Sequence, residues 1–229
     1  MSTSSPTPAD RVELKGLGKR EAERLARRER LLDAAERRFA EVGFEATRLR
    51  DVTAAAGTRL ASVTEEFGGK EQLFREVLVR RALPLENDRL QRLQSIDISI
   101  DGLERLNATV AAFIDPMLAR STEEGWRNYF RFIAQLANSG HLVQLVVAEE
   151  YNRVAATFIR SFRQAYPAST EEAAADAYMF MLAAALEVFA EGSRLDSLSG
   201  GRFKSADLPR RCKALRVFVT AGIEALLSP

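Results

Sequence analysis

At 229 residues, with 46% hydrophobic and 28% charged side chains, the chain is long enough for one sizeable core, or for a small domain joined to a larger one. A formal net charge of +1 excludes a bulk basic protein, so any surface for nucleic acid has to be local. The single cysteine, Cys212, excludes an intramolecular disulfide and a cysteine zinc cluster, and the longest apolar run, Ala177 to Leu186, falls well short of the ~20 residues a spanning helix needs.

Met1 to Asp10 is rich in Ser, Thr and Pro and lacks the apolar core of a signal peptide, which with the lone cysteine implies a cytoplasmic protein. Residues 1–25 read as a flexible basic arm. The helix-forming stretch from Leu14 to Arg30 carries Lys15, Lys19, Arg20, Arg24, Arg27, Arg28 and Arg30 against Glu21, Glu23 and Glu29. Such a run is either a solvated charged face or an arm laid along a phosphate backbone.

From there Leu31, Ala35, Phe39 and Val42 take a helical period, and Gly43 ends the helix in the manner of a left-handed cap. Thr47 is placed to N-cap a second short helix with Leu49, Val52 and Ala55 or Ala56 inside, which Gly57 stops. A third stretch, Leu60 to Phe67, has Leu60, Val63 and Phe67 on one side. Gly68-Gly69 breaks it, and Lys70 opens a long helix through Leu73, Phe74, Val77 and Leu78. Three short helices with a glycine between the second and third match a helix-turn-helix, whose third helix enters the major groove of DNA.

The remaining chain has no sustained alternation and no hairpin turn, so it reads as helices at about 101–120, 123–138, 141–165, 170–193 and 207–227. Pro84 is expected to kink the helix that holds it or to mark a join, and Pro116 to kink its own. Asp97 to Asp101 and Ser197 to Lys204 read as loops. Helix 170–193 carries Tyr178, Leu182, Ala185 and Phe189 beside Met179, Leu186 and Ala190; the last helix aligns Leu215, Val219, Gly222 and Leu226 beside Phe218 and Ile223. Helices apolar over most of their circumference need cover on more than one side. That cover is either the interior of one subunit or, as the terminal position of the last helix favours, the antiparallel helix seam of a homodimer.

The segment Arg30 to Leu73 resembles the DNA-binding domain of the TetR family of repressors. Leu31-Leu32-Asp33-Ala34-Ala35 with Phe39 and Gly43-Phe44 is similar to the first helix and its turn. Thr47, Arg50-Asp51-Val52 and Ala55-Ala56-Gly57 are similar to the second helix, and Leu60 to Phe67 followed by Gly68-Gly69-Lys70-Glu71-Gln72-Leu73-Phe74 to the recognition helix and its successor. Arg80-Arg81-Ala82-Leu83-Pro84-Leu85-Glu86-Asn87 and Leu198-Ser199-Gly200-Gly201-Arg202 also resemble a branch of that family whose members sense fatty acids or acyl-CoA esters.

The resemblance implies an all-α fold, with a helix-turn-helix domain over residues 26–72 and a ligand-binding and dimerisation domain over 73–229. The implied partners are double-stranded operator DNA, a second copy of the chain and a small apolar effector, with no cofactor and no membrane. Candidate DNA contacts are Arg28, Thr47, Arg48, Arg59, Leu60, Ser62, Thr64, Glu65 and Lys70. Late in the recognition helix the family offers an aromatic phosphate contact, often Tyr, where this chain has Thr64, Glu65 and Glu66. Those carboxylates either repel phosphates, accept a hydrogen bond from a cytosine amino group, or cap a neighbouring arginine such as Arg59.

Candidate effector contacts are Phe113, Met117, Trp126, Phe130, Val147, Tyr151, Val154, Phe158, Tyr178 and Met181, with Tyr151, Asn152, His141 and Gln144 as polar groups to orient a ligand. A catalytic reading finds no nucleophile-elbow, Walker or dinucleotide-binding pattern. The neighbours Glu149 and Glu150 point about 100° apart on a helix and make no acid/base pair. The expected function is therefore a repressor released by an apolar ligand, the alternative being a helical interaction protein with weakened DNA binding.

Overall fold

The computed structural model describes residues 18–137 and 140–228, with side chains throughout except at 140–150. Among these residues it contains ten helices and no strand: α1 (Lys19–Ala46), α2 (Leu49–Ala55), α3 (Ala61–Phe67), α4 (Lys70–Gln94), α5 (Gly102–Arg120), α6 (Glu124–Leu136), α7 (Gly140–Ala165), α8 (Glu171–Phe189), α9 (Arg194–Leu198) and α10 (Leu208–Leu227). The all-α reading holds. The expected arm lies outside the described residues up to position 17, and from Lys19 onward its basic residues are helix rather than a loose arm. The cause is local. Ala, Leu, Glu and Arg dominate this stretch, and all are strong helix formers.

Gly43 interrupts α1 at φ 76°, ψ 173°. Thr47 does not cap α2: the N-cap position falls on Arg48 without a side-chain hydrogen bond, and the buried Thr47 hydroxyl donates instead to the Gly43 carbonyl at 2.7 Å. It thereby satisfies an orphan acceptor at the end of α1. Between α2 and α3 the chain turns through Gly57 at φ 63°, a left-handed conformation that costs an L-residue about 1 kcal/mol or more.

Leu31, Ala35, Phe39, Val52, Val63 and Phe67 are buried together, but this core does not part from that of the rest of the chain. The Phe39 ring lies 5.3 Å from Phe74 on α4 and 5.6 Å from Phe132 on α6, and Phe44 stands 4.7 Å from Phe74. Gln135 on α6 donates to the Ala40 carbonyl of α1 at 3.0 Å. The bundle of α1, α2 and α3, the head of the molecule, is thus welded to α4 and α6 through a ring cluster and one cross-helix hydrogen bond.

Pro84 and Pro116 lie inside α4 (25 residues) and α5 (19 residues), and both helices continue past them, so Pro84 marks no join. Each removes one backbone donor, and packing of α4 and α5 against each other outweighs the loss. Ser197 to Lys204, read as a loop, begins in the short helix α9 and is then tied back by Ser205, whose amide and hydroxyl both donate to Asp196. Those hydrogen bonds hold the Asp196 carboxyl below its ordinary pKa. No described helix is long and apolar enough to cross a membrane.

Candidate functional site

The outer face of the head is short and mixed in charge. Arg59, Leu60, Thr64 and Glu65 are exposed around α3, and Arg48 and Arg50 are exposed at the start of α2. Leu60, expected on the packed side, is 56% exposed and precedes the helix. Ser62, expected at the groove, is 3% exposed and belongs to the interior, because its position on α3 is in phase with the buried side that Val63 shares.

The two glutamates go different ways. The side chain of Glu66 is 5% exposed and accepts from Arg27 Nη2 at 2.6 Å and Arg24 Nη1 at 3.1 Å, so it ties α3 back to α1. Its arginine partners are those of α1, not Arg59. Glu65 alone stays on the outward side.

Arg28 is turned inward as well, bonded to Glu76 at 3.0 Å with its guanidinium 4.9 Å over the Phe67 ring. Lys70 stands at the start of α4, where the N-cap Gly69 offers no side chain to the first-turn amides. Its ammonium lies 4.4 Å over the Phe44 ring and donates to the Glu45 carbonyl at 3.3 Å. A helix N-terminus with an adjacent cation favours an anion such as phosphate.

Behind the head sits an ion cluster centred on Glu36, whose side chain is 2% exposed. Glu36 accepts from Arg80 and, at 3.1 Å, from Nε and Nη2 of Arg81; Arg80 also reaches Asp33 at 2.9 Å and Glu29 at 3.1 Å. Arg81 in turn covers the Trp126 ring of α6 at 5.3 Å, and Arg120 covers it at 5.2 Å. Sequence reasoning did not nominate this cluster. Its available signal was the phase of Glu36 with Leu32 and Ala40 on the buried side of α1.

A cavity of about 450 Å³ opens in the larger domain. Of the residues nominated from sequence, Met117, Phe130, Tyr151 and Tyr178 line it, as does Asn152. Phe113, Trp126, Val154, Phe158 and Met181 are buried in the core around it without lining it, since each packs into the interior. Val147, His141 and Gln144 carry side chains outside the described residues.

The wall holds charges that the sequence reading missed: Glu86 and Arg89 of α4, paired at 2.7 Å and both almost fully buried. Arg89 also donates to the Phe113 carbonyl at 3.2 Å, with its guanidinium 3.7 Å over the Phe113 ring. The signal was available in the spacing: Arg89 is in phase with the buried Leu78, Ala82, Leu85 and Leu93. Tyr129 and Tyr151 share a hydroxyl–hydroxyl bond of 2.9 Å. Burial pushes their phenols up, and that of Tyr178 to about 12, so all three stay protonated.

One pair of helices connects the two sites. On α4, Arg80 and Arg81 grip α1 while Leu85, Glu86 and Arg89 wall the cavity. On α6, Phe132 and Gln135 touch α1 while Tyr129, Phe130 and Ile133 wall the cavity.

The chain matches the family described as "Bacterial regulatory proteins, tetR family" over residues 31–77, and "Tetracyclin repressor-like, C-terminal domain" over residues 111–222. No curated protein matches the sequence. Among solved structures, the SmeT–triclosan complex is 20% identical with a TM-score of 0.62, covering 86% of this chain and 91% of that one. SmeT described as the repressor of the Stenotrophomonas maltophilia multidrug efflux pump SmeDEF is 19% identical with a TM-score of 0.60, covering 85% and 89%. A TetR-like transcriptional regulator from Rhodococcus sp. RHA1 is 18% identical with a TM-score of 0.59, covering 86% and 94%. At these identities the likeness is one of fold.

Proposed function

The chain belongs to the TetR family of transcriptional regulators, and on that premise we propose that it is a homodimeric repressor released from its operator by a largely apolar effector. The observation that carries this reading is that α4 and α6 both wall the cavity and both hold the DNA-facing helix bundle. A molecule that fills the cavity and favours a different setting of α4 against α6 alters the spacing of the two reading helices in a dimer. It shifts the balance only by its differential affinity for the two settings. An acyl chain, the effector suggested by the second sequence resemblance, suits the mostly apolar wall. SmeT, captured with triclosan, is a relative by fold that takes a small molecule.

On the DNA side, α3 is taken to enter the major groove with Arg59, Leu60, Thr64 and Glu65 forward, while Lys70, Arg48 and Arg50 meet phosphates. Because Glu66 is engaged with Arg24 and Arg27, one carboxylate rather than two faces the nucleic acid. This supports operator binding over the reading of an interaction protein that has lost it.

A gel shift against DNA flanking the protein's own gene tests the proposal; a sequence-specific shift at low salt is expected, and only a non-specific one would count against it. Glu65→Tyr supplies a sharper test. Removing one carboxylate from the phosphate face is expected to strengthen binding to operator and non-operator DNA alike, by about 1 kcal/mol or roughly fivefold. Weakening confined to the operator would instead make Glu65 a base-reading residue.

A further inference from the structure

The cavity has an opening, and what stands beside it bears on the effector's polar end. Along α7 the cavity wall runs from Tyr151 to Ile159, and α8 faces it with Tyr178, Met179 and Leu182. Asn152 and Met179 belong to this wall and are also exposed, so the cavity reaches the surface between α7 and α8. A second hollow, a surface cleft of about 480 Å³, continues along the same pair of helices. Ile159 borders both.

The two hollows differ in chemistry. The cavity offers an anion no free cation: Arg89 is already engaged by Glu86 at 2.7 Å and by the carbonyl and ring of Phe113. The cleft offers two guanidinium groups, Arg160 and Arg163, both exposed and neither ion-paired among the described residues. They stand one and four residues past Ile159, about 1.5 and 6 Å farther along the α7 axis. Three apart on a helix, their side chains share a face. Gln164 adds a donor. Its Oε1 accepts from Arg105 Nη2 at 2.7 Å, and Arg105 is only 9% exposed, so the Gln164 amide is held with its hydrogens turned away from Arg105. Glu171 of α8 also borders the cleft, which leaves two cations against one carboxylate.

We propose, resting on the effector-cavity reading above, that the effector is a single-chain amphiphile whose apolar tail fills the cavity and whose anionic head lies outside it, on Arg160, Arg163 and Gln164. The tail passes between α7 and α8 beside Ile159. The charge then stays at the surface, where it keeps its hydration, and only hydrocarbon enters the buried wall. A carboxylate and a phosphate ester share this chemistry. An alcohol gains the cavity without the cleft, and an ammonium head meets two like charges.

The test uses the full chain and four ten-carbon probes below their micellar concentrations: decyl phosphate, decanoate, decan-1-ol and decyltrimethylammonium. Binding is followed by the fluorescence of Trp126, the only tryptophan, whose ring lies 5.8 Å from Tyr129 and 6.0 Å from Phe130 on the cavity wall. At low salt at least one anion is expected to bind at least about fivefold more tightly than decan-1-ol, the combined effect of two exposed ion pairs. Which anion leads identifies the head. That lead is expected to shrink at about 0.5 M salt. It is expected to vanish in the double variant Arg160→Gln, Arg163→Gln, two exposed positions at which the fold should tolerate the change. An alcohol or ammonium that binds as tightly as the anions, or an anion lead that survives the double substitution, overturns the head site and leaves the effector cavity standing. Failure of all four probes to bind overturns the cavity reading together with it.

Discussion

Glu36→Ala is expected to cost about 3 kcal/mol of stability, read as a fall in the urea midpoint at unchanged slope and fixed chain concentration. Removing one partner of a buried ion pair usually costs about 3–5 kcal/mol, since the surviving charge is left without compensation. The lower end applies because Arg80 and Arg81 are 19% and 21% exposed, and Arg80 keeps Glu29 and Asp33. Glu36→Gln, which retains an acceptor but not the charge, should lose less. A change below about 0.5 kcal/mol for Glu36→Ala would reduce the cluster to an ordinary surface network. The effect should extend beyond stability. Glu36 joins α1 to the segment of α4 that leads to the cavity, so its loss should also weaken the effect of an effector on DNA binding.

The helical architecture and the helix-turn-helix were legible because both rest on local signals. Helical periodicity placed Leu31, Ala35 and Phe39 in the interior, and glycines at 43, 57 and 68 marked the places where the backbone leaves the right-handed region. Neither proline ends its helix, because its cost is local while the stability of α4 and α5 comes from packing. Side-chain direction was less legible. Adjacent residues Glu65 and Glu66 differ by about 100° around a helix, and only the arrival of Arg24 and Arg27 from α1 determines which is pulled inward.

The cavity wall was legible at Met117, Phe130, Tyr151 and Tyr178 but not as a set. Phe113 and Phe158 are apolar aromatics like Phe130, yet they fill the space between helices. Glu86 and Arg89 were hidden by habit, since charged residues three apart on a helix are usually a solvated pair.

Phe218→Glu is expected to convert the dimer into a monomer, with helical circular dichroism retained at low temperature. On α10 the exposed positions Ala214, Val217, Phe218, Ala221, Gly222, Ala225 and Leu226 form a stripe that is almost wholly apolar, with Val217 68% and Phe218 73% exposed. The neighbouring helix α8, packed against α10, exposes Met179 and Phe180 at 55% and 59%. We take this exposed apolar surface of α8 and α10 as the seam of the proposed homodimer, in which small residues let the backbones approach.

Burying one Phe contributes about 2 kcal/mol, and a two-fold interface counts the substitution twice, so the dimer should weaken by roughly a thousandfold before any cost of facing glutamates is added. Operator affinity should fall with it by about a hundredfold or more, the factor contributed by a second linked half-site. Sedimentation or light scattering at micromolar chain concentration reads the first effect, and a gel shift the second. Because Phe218 is exposed in the single chain, the fold itself should tolerate the change. A variant that still sediments as a dimer would move the seam elsewhere on the surface. A monomeric variant that keeps full operator affinity would separate DNA binding from dimerisation.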